Sequence, residues 1–399
     1  MKRKPIPIGG FLKKFLNVTS LPALPKSLLL VNMPPIAGDA DVGALPWLDI
    51  RPLKPHFGVA VWNANIHDWL ASSSSKKTAV LAHVRSLVYK HGLVVFKAQT
   101  SMTPADDVTI ARFFSHDPTE DHANSSYTGG AAPQHKLPNQ PEVALVGAYE
   151  VTDYHGFTGT SQGTYGASRC QNKLNAVAWH NDGFADTYPP PELTLMRCIK
   201  TPAAGGETLF ACSRRCASRL IEQREHFDPP PESVTVHYRL FKGATRRTSG
   251  LALKAAPDDG ATRDDGWQNT SAASGTAHPL LVREPNSGDV TMVGTYHVAG
   301  VTAPSCEPLN FDASNEYVER AWKLGIYEDE DSVLAYEWGV GDCALWSNKL
   351  VTHSATPASY AGSEQRLHHR VRLRANPCDV PRAAFGEGAV AASSPAPSA

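Results

Sequence analysis

The sequence predicts a mainly β domain with flanking helices, a sandwich or jelly roll rather than a doubly wound α/β sheet. Three observations point there. The apolar runs are short and punctuated by Gly and Pro, 30 and 31 of the 399 residues, as strand-rich domains require. Helical periodicity is confined to a few segments. No G-x-G-x-x-G follows a strand and no G-x-x-x-x-G-K-[ST] occurs, so the nucleotide-binding α/β folds lack their fingerprint.

The elements follow in chain order. Residues 78–91 place apolar side chains at helical spacing, and Gly92 ends the helix. Residues 93–96 read as a buried strand. Thr103 and Pro104 supply an N-cap and a first-turn proline for a helix to about residue 114. Strands are expected at 193–199 and 208–211, a helix from Ser213 to about residue 224, and strands again at 234–241, 280–282 and 290–293. Asp312 or Ser314 caps a helix carrying Tyr317, Val318, Ala321, Trp322 and Leu324. Residues 343–346 and 366–374 complete the β set.

These elements define one domain over residues 46–380. Residues 1–45 form a Pro-rich N-terminal extension without helical periodicity, and 255–277, rich in Asp, Gly, Ser and Ala, read as an insertion loop. The small, polar residues 381–399 cannot bury enough apolar surface to offset their ordering entropy, and are expected to be a disordered tail. The first 38 residues lack Asp and Glu and include Lys2, Arg3, Lys4, Lys13, Lys14 and Lys26. That start suits a basic extension of a cytoplasmic protein or an organelle transit peptide.

Composition narrows the partners. With 38 basic and 39 acidic residues the net charge is −1, which gives no nucleic-acid footprint. No apolar run approaches the roughly 18–20 residues that span a bilayer. A small-molecule partner is expected, with a homo-oligomer left open. Seven scattered cysteines (Cys170, Cys198, Cys212, Cys216, Cys306, Cys343 and Cys378) contain no C-x-x-C, so buried, reduced thiols are expected rather than a zinc set.

The chemistry centres on Trp179-His180-Asn181-Asp182 and, far downstream, Trp346 to His353. In an extended segment residues i and i+2 share a face, so His180 and Asp182 present an imidazole and a carboxylate to one metal. A distant histidine completes a two-histidine, one-carboxylate facial set, the geometry of non-haem Fe(II) oxygenases. H-x-D alone is weak evidence in a chain with 16 histidines. Its context adds Gly205-Gly206-Glu207-Thr208-Leu209-Phe210, Glu337-Trp338-Gly339-Val340-Gly341-Asp342, and Gln365-Arg366-Leu367-His368-His369-Arg370.

This ordered set resembles the taurine dioxygenase (TauD/TfdA) family of 2-oxoglutarate-dependent dioxygenases, over about residues 93–377. The resemblance implies a double-stranded β-helix (jelly-roll) core, iron held by His180, Asp182 and His353, and the free carboxylate of 2-oxoglutarate held by Thr208 and Arg366. It also implies O2 as co-substrate, release of succinate and CO2, and hydroxylation or oxidative cleavage of a small organic substrate. A planar guanidinium is the bidentate partner that a free carboxylate wants.

Arg366, His368, Arg370, Arg372 and Arg374 share one strand face by parity. Arg370 then becomes a candidate for an anionic substrate group, as in some family members, while Arg372 and Arg374 are expected on a solvated rim. Phe184 and Tyr188 are candidate substrate contacts, and Asn181 either touches substrate or satisfies a turn. Trp179 and Trp346 are expected to pack, and Asp342 to serve a tight turn. Residues 152–173 suit a lid. Ala176 and Ala178 stand where taurine-cleaving members carry polar residues, which argues against taurine. The competing readings are a non-catalytic jelly-roll binding protein and a zinc hydrolase, although a hydrolase has no use for a buried arginine facing a free carboxylate.

Overall fold

The computed structural model describes residues 47–114, 135–162, 179–184, 190–238, 276–293, 298–303, 309–355, 364–373, 375 and 381–385. The described residues begin with β1 (Ile50–Pro52), β2 (Val59–Val61), α1 (Ile66–Ala71), α2 (Ser74–His91), β3 (Leu93–Phe96) and α3 (Pro104–Arg112). Next come β4 (Lys136–Leu137), β5 (Gln140–Tyr154), β6 (Phe157–Gln162), β7 (Leu193–Lys200), β8 (Thr208–Cys212) and α4 (Ser213–Glu222). Then follow β9 (Thr235–Tyr238), β10 (Thr276–Pro279), β11 (Leu281–Arg283), β12 (Val290–Met292), β13 (Val298–Thr302) and α5 (Phe311–Trp322). The last strands are β14 (Val333–Tyr336), β15 (Cys343–Ser347), β16 (Val351–Ala355) and β17 (Arg366–Leu373).

A nine-stranded sheet runs β1-β2-β3-β15-β7-β17-β5-β4, with β6 paired to β5. Among the described residues its one parallel pair is β2–β3. A smaller antiparallel sheet, β14-β8-β16, lies against it. Phe210 of β8 meets Trp346 of β15 edge-on at 5.3 Å, which stacks the two sheets as jelly-roll layers. The larger apolar core lies between the nine-stranded sheet and the helices of the N-terminal half, with Val84 and Val88 of α2 and Val108 of α3 against β3, β7 and β15. A second core gathers α4, α5 and the β9–β13 region.

Local chemistry sets the helix ends. Gly92 takes φ 75° and its N–H closes on Val88 O, the left-handed stop that favours glycine. The helix before it starts four residues earlier than the apolar pattern announces, because Ser74 to Lys77 form a polar first turn. Thr103 and Asp106 make a reciprocal capping box, 3.3 and 2.7 Å. The cap of α5 is Asn310, whose Oδ1 accepts from Ala313 N at 2.9 Å, not Asp312 or Ser314. The Ser314 hydroxyl instead accepts from Val301 N at 3.1 Å and ties the helix to β13.

Two other expectations change. The expected lid begins as a hairpin, because residues 152–162 belong to β5, β6 and the turn between them, paired Tyr149↔Ser161 and Tyr154↔Phe157; 163–173 lie outside the described residues. Residues 381–385, expected in the tail, are held by pairing: Ala383 bridges Val282, and Ala384 N donates to Leu281 O at 3.1 Å. The insertion 255–277 is described only from Thr276, where β10 begins. Cys198, Cys212, Cys216 and Cys343 are buried free thiols, as expected; the other three cysteines lie outside the described residues.

Strand β17 sits between β7 and β5, and both faces are occupied. On the helix side, Asp107 of α3 takes a bidentate contact from Arg197 of β7, 2.6 and 2.7 Å. His369 of β17 joins through Nδ1 at 2.8 Å and reaches Tyr154 OH through Nε2 at 2.8 Å. Gly147 (φ 129°) lets β5 approach: a Cβ there would lie 1.9 Å from Arg366 O.

Candidate metal and dicarboxylate site

The three expected metal ligands come together. His180, Asp182 and His353 place their ligand atoms within 4.8 Å of one another. His353 lies on β16, and His180 pairs with it through two backbone hydrogen bonds, each 2.9 Å. This antiparallel bridge extends the small sheet by one residue and fixes the imidazoles with ring centroids 4.2 Å apart. The chain then turns through Asp182, whose Oδ1 lies 4.0 Å from His180 Nε2. His353 and Asp182 are buried, whereas the His180 side chain is 22% exposed, so the site opens on its side.

Asp182 is held from behind. Asp182 Oδ2 accepts from Thr194 Oγ1 at 2.8 Å. Asn348 bridges Thr194 Oγ1 (3.0 Å) and Trp346 Nε1 (3.2 Å). Burial works against ionising Asp182, but Arg372 and Arg370, 3.6 and 3.8 Å from Oδ1, hold it well below the usual carboxylate range, helped by the two histidines. Burial, with His180 next in weight, pushes His353 down to about 3. A carboxylate beside an imidazole kept neutral is a donor set ready for a divalent cation. Among the described residues, His353 Nδ1 is also buried without a hydrogen-bond partner, so none of them commits the ring through that atom. The set fits a metal.

The second expected cluster lies where β8 faces β17. Arg366 is buried and oriented by two acceptors, Gly206 O at 2.9 Å to Nε and Thr208 Oγ1 at 3.2 Å to Nη2. Trp338 Nε1 also donates to Thr208 Oγ1, at 2.9 Å. A hydroxyl has two acceptor lone pairs and one donor, so with both lone pairs used, Thr208 has its hydrogen to give. A buried guanidinium beside a donor hydroxyl is a receptor for a carboxylate.

The remaining candidates divide. Arg370 reaches Asp182 as described. Arg372 corrects the expectation of a solvated rim: its side chain is 4% exposed and points into the metal site. Strand parity gave its face but not its depth. Asn181 is buried and its Nδ2 donates to Asn348 O (2.6 Å) and Val351 O (3.0 Å), so it locks the ligand turn to the β15–β16 connection. Phe184 is buried beside Val282 and Val293, its ring 5.1 Å from that of His278. Tyr188 and Arg374 lie outside the described residues. Trp179 and Trp346 are buried packing residues. Asp342 is structural, accepting from Lys97 Nζ (2.5 Å), Tyr336 OH (2.7 Å) and Gly339 N (2.8 Å).

Sequence reasoning missed Thr194, Asn348 and the Trp338 hydrogen bond. The apolar run of β7 hides Thr194, and no spacing rule marks a residue that acts through another.

Comparison with known proteins agrees with this geometry. The α-ketoglutarate-dependent dioxygenase oryG of Aspergillus oryzae is 23% identical over 335 residues, covering 82% of this chain and 88% of that protein. The α-ketoglutarate-dependent xanthine dioxygenase xanA of Emericella nidulans is 23% identical over 394 residues, covering 84% and 99%. A crystal structure of a taurine dioxygenase from Burkholderia xenovorans shares the fold with a TM-score of 0.55 at 16% identity, over 84% of this chain and 91% of that one. Residues 49–372 match the family model for taurine catabolism dioxygenase TauD, TfdA. With its donor triad and arginine–threonine cluster set on a jelly-roll frame, this chain belongs to the TauD/TfdA family.

Proposed function

We propose that this protein is an Fe(II)- and 2-oxoglutarate-dependent dioxygenase that hydroxylates, or by hydroxylation cleaves, a small organic anion and releases succinate and CO2. The observation that carries the reading is the pairing of two receptors along one strand. β17 brings Arg366 to Thr208 at one end and Arg370 and Arg372 to the carboxylate of the donor triad at the other. A molecule with a chelating 2-oxo acid at one end and a free carboxylate at the other suits both receptors at once.

His180, Asp182 and His353 would hold iron, which when bound supplies the redox chemistry with O2 and the 2-oxo acid. Arg366 and Thr208 bind and orient 2-oxoglutarate by its free carboxylate. Thr194 and the two arginines keep Asp182 ionised and fixed. Arg370 and Arg372 add positive charge beside the reacting centre, which selects an anionic substrate group.

The test is succinate formation by the purified protein with Fe(II), ascorbate, O2 and 2-oxoglutarate, across a panel of small carboxylates, sulfonates and sulfate esters. Expected are O2-dependent succinate release, its loss after chelation, and its recovery with Fe(II) but not Zn(II). Absence of succinate with every panel member, in folded Fe(II)-loaded protein, would contradict the proposal.

A further inference from the structure

His368 stands between the two receptors. It shares the inward face of β17 with Arg366 and Arg370, and register to β5 is unbroken from Arg366↔Ala148 to Arg370↔Ala144. At about 3.4 Å per residue it lies roughly 7 Å along the strand from each. A dicarboxylate bridging Arg366 and the donor triad would run along the strand face that carries it. The imidazole is fully buried, and its ring lies edge-on to Trp338 at 4.7 Å, the same indole that donates to Thr208. Thr208, Trp338, Arg366 and His368 therefore form one buried cluster.

Among the described residues, neither nitrogen of His368 has a hydrogen-bond partner. Burial, with Arg366 adding to it, keeps the ring neutral, so one nitrogen carries a hydrogen and the other a lone pair. A buried donor and acceptor both left unmade bear the full desolvation cost, and an apolar side chain of similar size would fill this position without it. His369, one residue on, shows the contrast, with both ring nitrogens bonded on the helix side.

We infer that His368 is a third contact for the free carboxylate of 2-oxoglutarate, donating a hydrogen bond to it beside Thr208 and Arg366. The inference rests on reading this cluster as the 2-oxoglutarate receptor. It gives the buried N–H its acceptor and makes the order of side chains along β17 a single recognition surface.

The test is anaerobic titration calorimetry of Mn(II)-loaded protein with 2-oxoglutarate and with 2-oxopentanoate, which has the same chain length and chelating end but no second carboxylate. His368→Leu is expected to weaken 2-oxoglutarate about ten-fold, the scale of one hydrogen bond to a charged group, and to leave 2-oxopentanoate unchanged. His368→Gln, which keeps an N–H, should recover part of the loss. Without ligand, His368→Leu should melt no lower than wild type, since an unmet polar group is gone. His368→Met replaces it if the Leu variant does not fold. Wild-type 2-oxoglutarate affinity in the variants, or equal weakening of both ligands, overturns the inference while the receptor reading stands. No binding of 2-oxoglutarate to the wild type removes both.

Discussion

At the scale of single residues, the site depends on charges placed where water is scarce. Asp182 is ionised because Arg372 and Arg370 outweigh the effect of its burial, and both guanidiniums lie within 4 Å of its Oδ1. If they recognise an anionic substrate, Arg370→Ala and Arg372→Ala should each raise its KM about ten-fold or more, since a hydrogen bond to a charged group contributes about 1.5–3 kcal/mol. Steady-state kinetics check this, with substrate-free 2-oxoglutarate turnover as control: for Arg370→Ala it should survive, and equal loss of both activities would speak against substrate recognition. The donor triad itself was legible in the sequence because H-x-D, a distant histidine and three ordered motifs carry their spacing in the chain. Arg372 was misjudged and Asn181 left open for one reason: periodicity assigns a face, and depth is decided by what other segments lay over it.

At the scale of elements, β17 is the member on which both sides depend. One face presents Arg366, His368, Arg370 and Arg372 to the site, and the other is clamped by His369, Asp107 and Arg197. Removing one partner of a buried ion pair strands the other. Asp107→Ala should therefore lower unfolding free energy by about 3–5 kcal/mol, measured by urea denaturation; a loss under about 1 kcal/mol would mean the clamp is idle. Gly147→Ala is expected to weaken 2-oxoglutarate binding although it touches no ligand, because its Cβ would strike the Arg366 carbonyl. Helix cores and stops were readable from caps and apolar spacing. The polar first turn of α2 was not, since it carries no apolar side chain; the β5–β6 hairpin was not, because its polar, Gly-containing second half reads as a loop although β5 holds the apolar run Val143-Ala144-Leu145-Val146.

At the scale of the molecule, the jelly roll was legible as a class, while its strand order was not, because pairing such as β15 between β3 and β7 joins residues far apart in sequence. The same frame buries several imidazoles outside the donor set. Burial holds His91 and His237 down to about 4 and His278 to about 3. Their folded values lie below the ordinary 6.5, so the unfolded chain binds more protons below that pH. Stability should be undiminished by these groups above about pH 6.5 and fall as pH drops toward 4. The slope is at most about 1.4 kcal/mol per pH unit for each histidine, and urea denaturation at pH 7.5, 6.5 and 5.5 reads it. The central claim is that this frame holds a metal and 2-oxoglutarate side by side, and anaerobic visible absorption tests it most directly. Fe(II) followed by 2-oxoglutarate should produce a weak charge-transfer band that needs both additions and is missing in His353→Ala. Folded wild-type protein that gives no band, or a band that persists in His353→Ala, would contradict the account.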